Sequence, residues 1–517
     1  MYGRTPLFWA AYNGHEEVVK LLLERGDVNL DSADEYGRTP LYGAVEHGHE
    51  GVAKILLERS DLNPNTGDAQ APLSLAAENG YEGVVRMLLE RNDINPNTTD
   101  ENDRTPLYLA AKGGHEGVVR ILLERSDVNP NTADKYGRTP LYLAANNRHE
   151  EAVLILLGRN DVNPNIVDKH GQTPLSFAAE DGDEEMVRIL LGRSDVNPNT
   201  ANTFSGLTPL SLAAENGHEG VVRILLERSG VYPNRAAQAP LSLAAENGYE
   251  GVVRMLLQRS DINPNTTDEN DRTPLSLAAL HGHEGVVKML LERNDINPER
   301  ADKRGLTPLA LAALWGHEGI VRMLLERNDV SSNTANEHGQ TPLSLAARWG
   351  YEGIVRILLE RNDINPNAAG DDGQTPLSWA VQDGEEEVVR MLLERNEVNP
   401  NTADKDGRTP LFLAAENGFK EIVGMLLERN DINLDVADHN GQTAAEWAAA
   451  NGHDRIAELL RDRAVSTPRH TASLQPTNAR SPEPSESSEP PLQEDPQVLT
   501  PNDKSHLTYP SRQCKKA

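Results

Sequence analysis

Asp127-Val128-Asn129-Pro130-Asn131-Thr132-Ala133-Asp134-Lys135-Tyr136-Gly137-Arg138 runs straight into Thr139-Pro140-Leu141-Tyr142-Leu143-Ala144-Ala145. The first half is dense in turn formers and reads as an extended loop or hairpin. The second half reads as a helix start. A threonine hydroxyl suits the N-cap, where it accepts a backbone N–H, and proline suits the next position, whose N–H is unpaired anyway. Leu141, Leu143, Ala144 and Ala145 then form a narrow apolar stripe, and the paired alanines let neighbouring helices approach closely.

The pattern returns with a 34-residue period. Thr-Pro recurs at Thr5, Thr39, Thr105, Thr139, Thr173, Thr208, Thr273, Thr307, Thr341, Thr375 and Thr409. Ala71-Pro72, Ala239-Pro240 and Thr443-Ala444 fill the remaining places, making fourteen units in residues 1–463. A glycine such as Gly114 or Gly217 suits the left-handed position that ends the first helix. The second helix, as in Glu219-Gly220-Val221-Val222-Arg223-Ile224-Leu225-Leu226-Glu227-Arg228, has apolar residues at helical spacing. Its early glutamate and terminal arginine suit the helix dipole. A period in this range means stacked units, none of which buries its apolar face alone. The expected fold class is an all-α repeat solenoid of helix-turn-helix units with projecting loops, followed by a tail at 464–517.

Gly137-Arg138-Thr139-Pro140-Leu141, Leu143-Ala144-Ala145, Gly217-His218, Val221-Val222, Leu225-Leu226 and Asp195-Val196-Asn197 closely resemble the ankyrin repeat. The resemblance covers residues 1–463 and implies a non-enzymatic scaffold that binds another protein. In that family the loop tips and the exposed side of the first helices line a concave groove. The Asn-Pro-Asn loops resemble those of large arrays in filamentous fungi. Three departures stand out. The slot after Thr-Pro-Leu, usually histidine in the family, holds Ser74, Ser176, Ser211, Ser242, Ser276, Ser344 and Ser378, or Phe8, Tyr42, Tyr108, Tyr142 and Phe412. That predicts an altered polar network between repeats. The loop is longer than usual, and the loops before Ala71 and Ala239 are short, which predicts a blunted finger at both places.

Charge narrows the partner. The net charge is −30, and the six acidic and six basic residues after 463 cancel, so the repeats carry the whole excess. That field repels phosphate backbones, which argues against nucleic acid and for a partner with a basic or apolar segment. Cys514 is the only cysteine, no signal core opens the chain, and no apolar run reaches the roughly 18 residues of a membrane span. These features predict a cytoplasmic or nuclear protein with no membrane contact. Residues 69–107 repeat at 237–275 with two differences, Glu90 against Gln258 and Asn92 against Ser260. Copying in blocks suits a surface that can be re-tuned.

No phosphate loop, zinc-protease spacing or cysteine site occurs within the repeats, so no catalytic, cofactor or metal residue is expected. The candidates lie in two slots before the Gly-His pair. Most units hold polar or acidic residues there, such as Glu78-Asn79, Glu180-Asp181, Glu215-Asn216, Glu246-Asn247 and Glu416-Asn417. Three successive units hold Leu280-His281, Leu314-Trp315 and Arg348-Trp349 instead. They are expected to form an exposed apolar and aromatic ladder for a partner, framed by Lys303, Arg304 and His338, because Trp and Arg are frequent interface anchors. Trp9, Trp379 and Trp447 occupy the buried Leu slot and are expected to pack.

The ends differ. The last unit carries a polar cap of Glu446, Asp454, Arg455, Glu458, Arg461 and Asp462. The first has an ordinary apolar second helix and starts mid-loop, which predicts a contact at its uncapped face. A second functional reading follows: a sensor array split from a larger fungal nucleotide-binding signalling receptor. From Ala464 the composition is rich in Pro, Ser and Thr, and a disordered tail is expected.

Overall fold

The structure is a computed structural model, and it describes residues 3–65, 71–234 and 238–466. Twenty-eight helices occur among these residues. They alternate between a first helix of seven or eight residues, such as Pro140–Asn146, and a second, such as Glu150–Leu157. Isolated helices this short are marginal in water, so stacking supplies their stability. The only β pairing among the described residues is a single bridge, Ala437 to Thr443.

The chain divides into two compact units, residues 1–308 with 323–330 and residues 309–322 with 331–517. In the first, first helices pack on first helices and second on second, as Pro106–Gly113 does on Pro140–Asn146 and Glu116–Leu123 on Glu150–Leu157. The second repeats this with Pro376–Asp383 on Pro410–Asn417 and Glu386–Leu393 on Lys420–Glu428. Each stack buries the expected stripes, such as Leu141, Ala144, Ala145, Val153 and Leu156.

Helix starts follow the sequence reading. The Tyr142 N–H donates to Thr139 Oγ1 at 3.2 Å, and Phe8 does the same to Thr5 at 3.1 Å. A cap of this kind is worth about 1 kcal/mol. Ala71 and Ala239 cap nothing with their side chains. Gly114 sits at φ +69°, and a Cβ there would lie 2.5 Å from the His149 ring, so backbone and packing both require glycine. The last helix, Asp454–Ser466, runs slightly past the boundary placed at 463, and all six polar cap residues are exposed. The loop segments 66–70 and 235–237 and the tail from 467, on which the blunted fingers and the disordered tail were expected, lie outside the described residues.

Candidate binding surface

The fingers are turns, and a buried aspartate organises them. Asp34 Oδ1 accepts the N–H groups of Tyr36 and Arg38 at 2.9 and 3.0 Å, while Oδ2 accepts Arg38 Nη2 at 2.8 Å. Burial pushes this carboxyl up, but the hydrogen bonds from Arg38, Tyr36 and Arg4 outweigh it and bring its pKa down to about 2. Asp302 holds the same place with Leu306 where Arg38 stands. Burial then dominates, and its pKa is raised. Successive fingers are tied by a backbone bond, as Lys169 N–H to the Tyr136 carbonyl at 2.8 Å.

The slot after Thr-Pro-Leu takes two polar solutions. Tyr108 donates its hydroxyl to Asp134 Oδ2 in the next finger at 2.7 Å. Serines turn inward instead, with Thr173 Oγ1 and Ser176 Oγ 2.9 Å apart. Ser242, whose N-cap is Ala239, is left buried with its hydroxyl unpartnered.

The histidines of the Gly-His pairs join repeats. His115 and His149 donate through Nε2 to the carbonyls of Glu78 and Lys112 at 2.8 and 3.0 Å. Two further ties were not foreseen. The second Asn of Asn-Pro-Asn brackets the next repeat: Asn131 Nδ2 donates to the Asp161 carbonyl at 2.7 Å, and its Oδ1 accepts the Asn163 N–H at 2.8 Å. Most arginines ending a second helix, expected to face the dipole of their own helix, reach back to the preceding one, whereas the Arg59 side chain bonds only Asp61. Arg159 donates to the carbonyls of Leu123, Arg125 and Val128. The 34-residue spacing of Asn and Arg was visible in the sequence; the direction of their side chains was not.

The ladder residues divide between the units. In the first unit Leu280 is only 4% exposed, so it is a core residue and not part of an exposed ladder. His281 is exposed, with Nε2 3.8 Å from Glu246 Oε1. Lys303 is exposed at its finger tip and Arg304 is half-buried. In the second unit Leu314 is likewise 4% exposed and buried, which corrects the same expectation. Exposure fails at both leucines because this slot lies at the edge of the core: Glu78 and Glu180 are exposed there and Glu215 is half-buried, while a leucine folds inward.

Trp315 and Trp349 are half-buried, and their indole nitrogens are covered without an acceptor. Arg348 stacks 4.1 Å from the Trp379 ring centre and 5.8 Å from that of Trp349, with Nε 3.7 Å from Asp383 Oδ2. His338 is exposed beside Glu337. Trp379 is buried as expected, Trp447 is half-buried and donates to Asp438 Oδ2 at 3.2 Å, but Trp9 is 45% exposed.

The first unit also holds an acidic row. Burial raises the Glu215 pKa, and the charges of Glu180 and Glu246, one repeat away on either side, raise it further. Among the described residues no helix is long and apolar enough to cross a membrane, and no group of three or more His, Cys, Asp or Glu is placed to hold a metal ion.

A family model described as ankyrin repeats (3 copies) matches residues 2–68, 73–168, 159–237, 241–334, 299–369, 328–404 and 396–469. The chain belongs to the ankyrin-repeat family. Ankyrin repeats generally mediate protein–protein interaction, and ankyrin-repeat proteins are typically non-enzymatic scaffolds. No curated protein matches this ankyrin-repeat chain.

Proposed function

We propose that the chain is a non-enzymatic scaffold whose first helices and finger tips, lining a concave groove, hold a segment of one partner protein. Trp315 and Trp349 carry the reading. They occupy equivalent places one repeat apart, where other units hold Asn79, Asn216 or Asn247, and both stay partly open to solvent. Arg348, stacked on Trp379, and His338 on its finger border them with donors. An apolar or aromatic partner side chain would cover the indole faces at little ordering cost, because the repeats are already folded. On the first unit the Glu180–Glu215–Glu246 row favours a basic side chain, which would relieve the repulsion that raises Glu215. His281, Lys303 and Arg304 edge that unit's surface.

The test compares full-length chain with the Trp315→Ala/Trp349→Ala double variant as bait, with captured proteins quantified by mass spectrometry. The reading expects a partner lost at least tenfold from the variant, with a melting temperature within about 2 °C of the parent. Equal capture by both baits, or a fall of 8 °C or more, would assign the indoles to packing.

A further inference from the structure

Three successive fingers of the first unit carry a ring at the same place. Two positions after the finger aspartate, or the asparagine that replaces it, stand Tyr136, His170 and Phe204. Tyr136 is 58% exposed, Phe204 is 92% exposed, and His170 on the finger between them is exposed. Backbone bonds hold the three in register. The Lys169 N–H donates to the Tyr136 carbonyl at 2.8 Å, and the Thr203 N–H donates to the His170 carbonyl at 2.9 Å. A lone apolar side chain on a surface needs no explanation, but a row of rings with Val167 exposed on the middle finger does.

Phe204 owes its place to one extra residue. The N–H groups of Asp134 and Asp168 donate to the carbonyls of Arg138 and Gln172, whereas that of Asn202 donates one residue further on, to Leu207. Asn202 Oδ1 accepts the N–H groups of Ser205 and Leu207 at 2.9 and 3.2 Å, so the longer turn is closed by its own hydrogen bonds with the ring outside. Charge at these tips runs against that of the chain. Glu35, Glu101 and Glu269 stand exposed one position after the aspartate of other fingers in this unit. Lys135, Lys169 and Thr203 hold that position here. The only carboxylates in 134–138, 168–172 and 202–206 are the buried Asp134 and Asp168. Arg138 is paired with Asp134, while Lys135 and Lys169 enter no ion pair among the described residues. Lys169 Nζ lies 5.4 Å from the Tyr136 ring centre.

A ligand for these tips must offer apolar or aromatic side chains to the rings and carboxylates to the lysines. A basic segment, of the kind the Glu180–Glu215–Glu246 row favours, would meet Lys135 and Lys169 with like charge, so tips and row select opposite partners. Neighbouring helices pack about 8–10 Å apart, and an extended chain advances about 3.3 Å per residue. Every third residue of an extended segment therefore meets a new finger.

We propose that the tips 134–138, 168–172 and 202–206 are a docking site for an extended acidic segment of another protein, with apolar side chains at every third position. Those side chains cover Tyr136, His170 and Phe204, and the carboxylates between them meet Lys135 and Lys169. The proposal is independent of the partner site at Trp315 and Trp349.

The probe is a fluorescein-labelled synthetic peptide of about nine residues, with an aromatic side chain at every third position and glutamates between. A control peptide carries lysines in place of the glutamates. Binding to the full chain is read by fluorescence anisotropy at about 150 mM salt. The expected result is saturable binding of the acidic peptide, weakened about tenfold or more in Tyr136→Ser/Phe204→Ser and in Lys135→Gln/Lys169→Gln. Melting temperatures should stay within about 2 °C of the parent, since the altered side chains are exposed. Binding should be unchanged in Trp315→Ala/Trp349→Ala; loss there would put the peptide on the other site and overturn this one. Absence of saturable binding, equal binding by the ring variant, or ring-dependent binding of the lysine peptide instead also overturns the proposal. So does a thymidine oligonucleotide that displaces the peptide and binds more tightly, since rings and lysines would then serve single-stranded nucleic acid.

Discussion

At the scale of single residues, Asp34 and Asp302 hold the same place in their fingers and act on stability in opposite directions. The Asp34 side chain is fully enclosed and meets Arg38; Asp302 is enclosed and meets Leu306. A carboxyl whose pKa falls to about 2 on folding contributes stability above its unfolded value near 4, and loses it as pH drops from 4 through 2. The contribution is about 1–2 kcal/mol after allowance for solvent screening. Asp302 shifts the other way, so its ionisation opposes folding at neutral pH. Asp34→Asn should therefore lower the melting temperature at pH 7 and flatten the acid limb between pH 4 and 2, whereas Asp302→Asn should leave it equal or higher. Asn202 and Asn336 already fill this place with amides, so the turn tolerates the change. Thermal melts of the two variants across pH 2–7 check both signs. Glu215→Gln should likewise raise stability slightly, by about 0.5 kcal/mol or less, by removing a like charge between Glu180 and Glu246.

At the scale of helices and loops, most of the architecture was legible because each signal has a local cause. Thr-Pro marks a helix start through one hydroxyl, and the Leu-Ala-Ala stripe marks a buried face. What stayed hidden depends on the neighbouring repeat. Asn131 reads as a turn former in isolation, and only the stack reveals that it brackets Asp161 and Asn163. Leu280 and Leu314 read as surface because their slot is polar elsewhere, yet the slot faces inward enough for leucine to sink. Trp9 reads as core because its slot is buried at Leu75, Leu109 and Trp379, yet Trp9 is 45% exposed. The missing caps give a direct check on local signals. Ala239→Thr gives the stranded Ser242 hydroxyl a partner and sets a side-chain oxygen beside the Ser242 N–H, which now donates to the Ala239 carbonyl at 2.9 Å; this is the arrangement seen at Thr273 and Ser276. It should stabilise by about 1 kcal/mol. Slower exchange in Pro240–Glu246 than in the parent would confirm it; an Ala239→Ser control should give a similar gain, and an unchanged rate in both would show that the Ser242 hydroxyl is satisfied another way.

At the scale of the whole molecule the net charge of −30 sets the response to salt. Two electrostatic contributions compete. Arginine–aspartate pairs such as Arg125–Asp127 and Arg293–Asp295 attract, but they lie at the surface and each is worth at most about 1 kcal/mol. Repulsion among the excess carboxylates acts across many repeats and opposes the folded stack. Raising salt from 10 to 150 mM shortens the screening length from about 30 to about 8 Å, which silences distant repulsion and leaves contact pairs largely intact. The melting temperature should therefore rise by several degrees over that range, and a fall would mean that the ion pairs outweigh the excess charge. Capture of a partner through basic residues should move the opposite way, weakening as its attraction to the acidic surface is screened. Opposite signs in one salt titration separate the charge that burdens the fold from the charge that recruits the partner, and capture that strengthens with salt would leave the indoles of Trp315 and Trp349 as the contact.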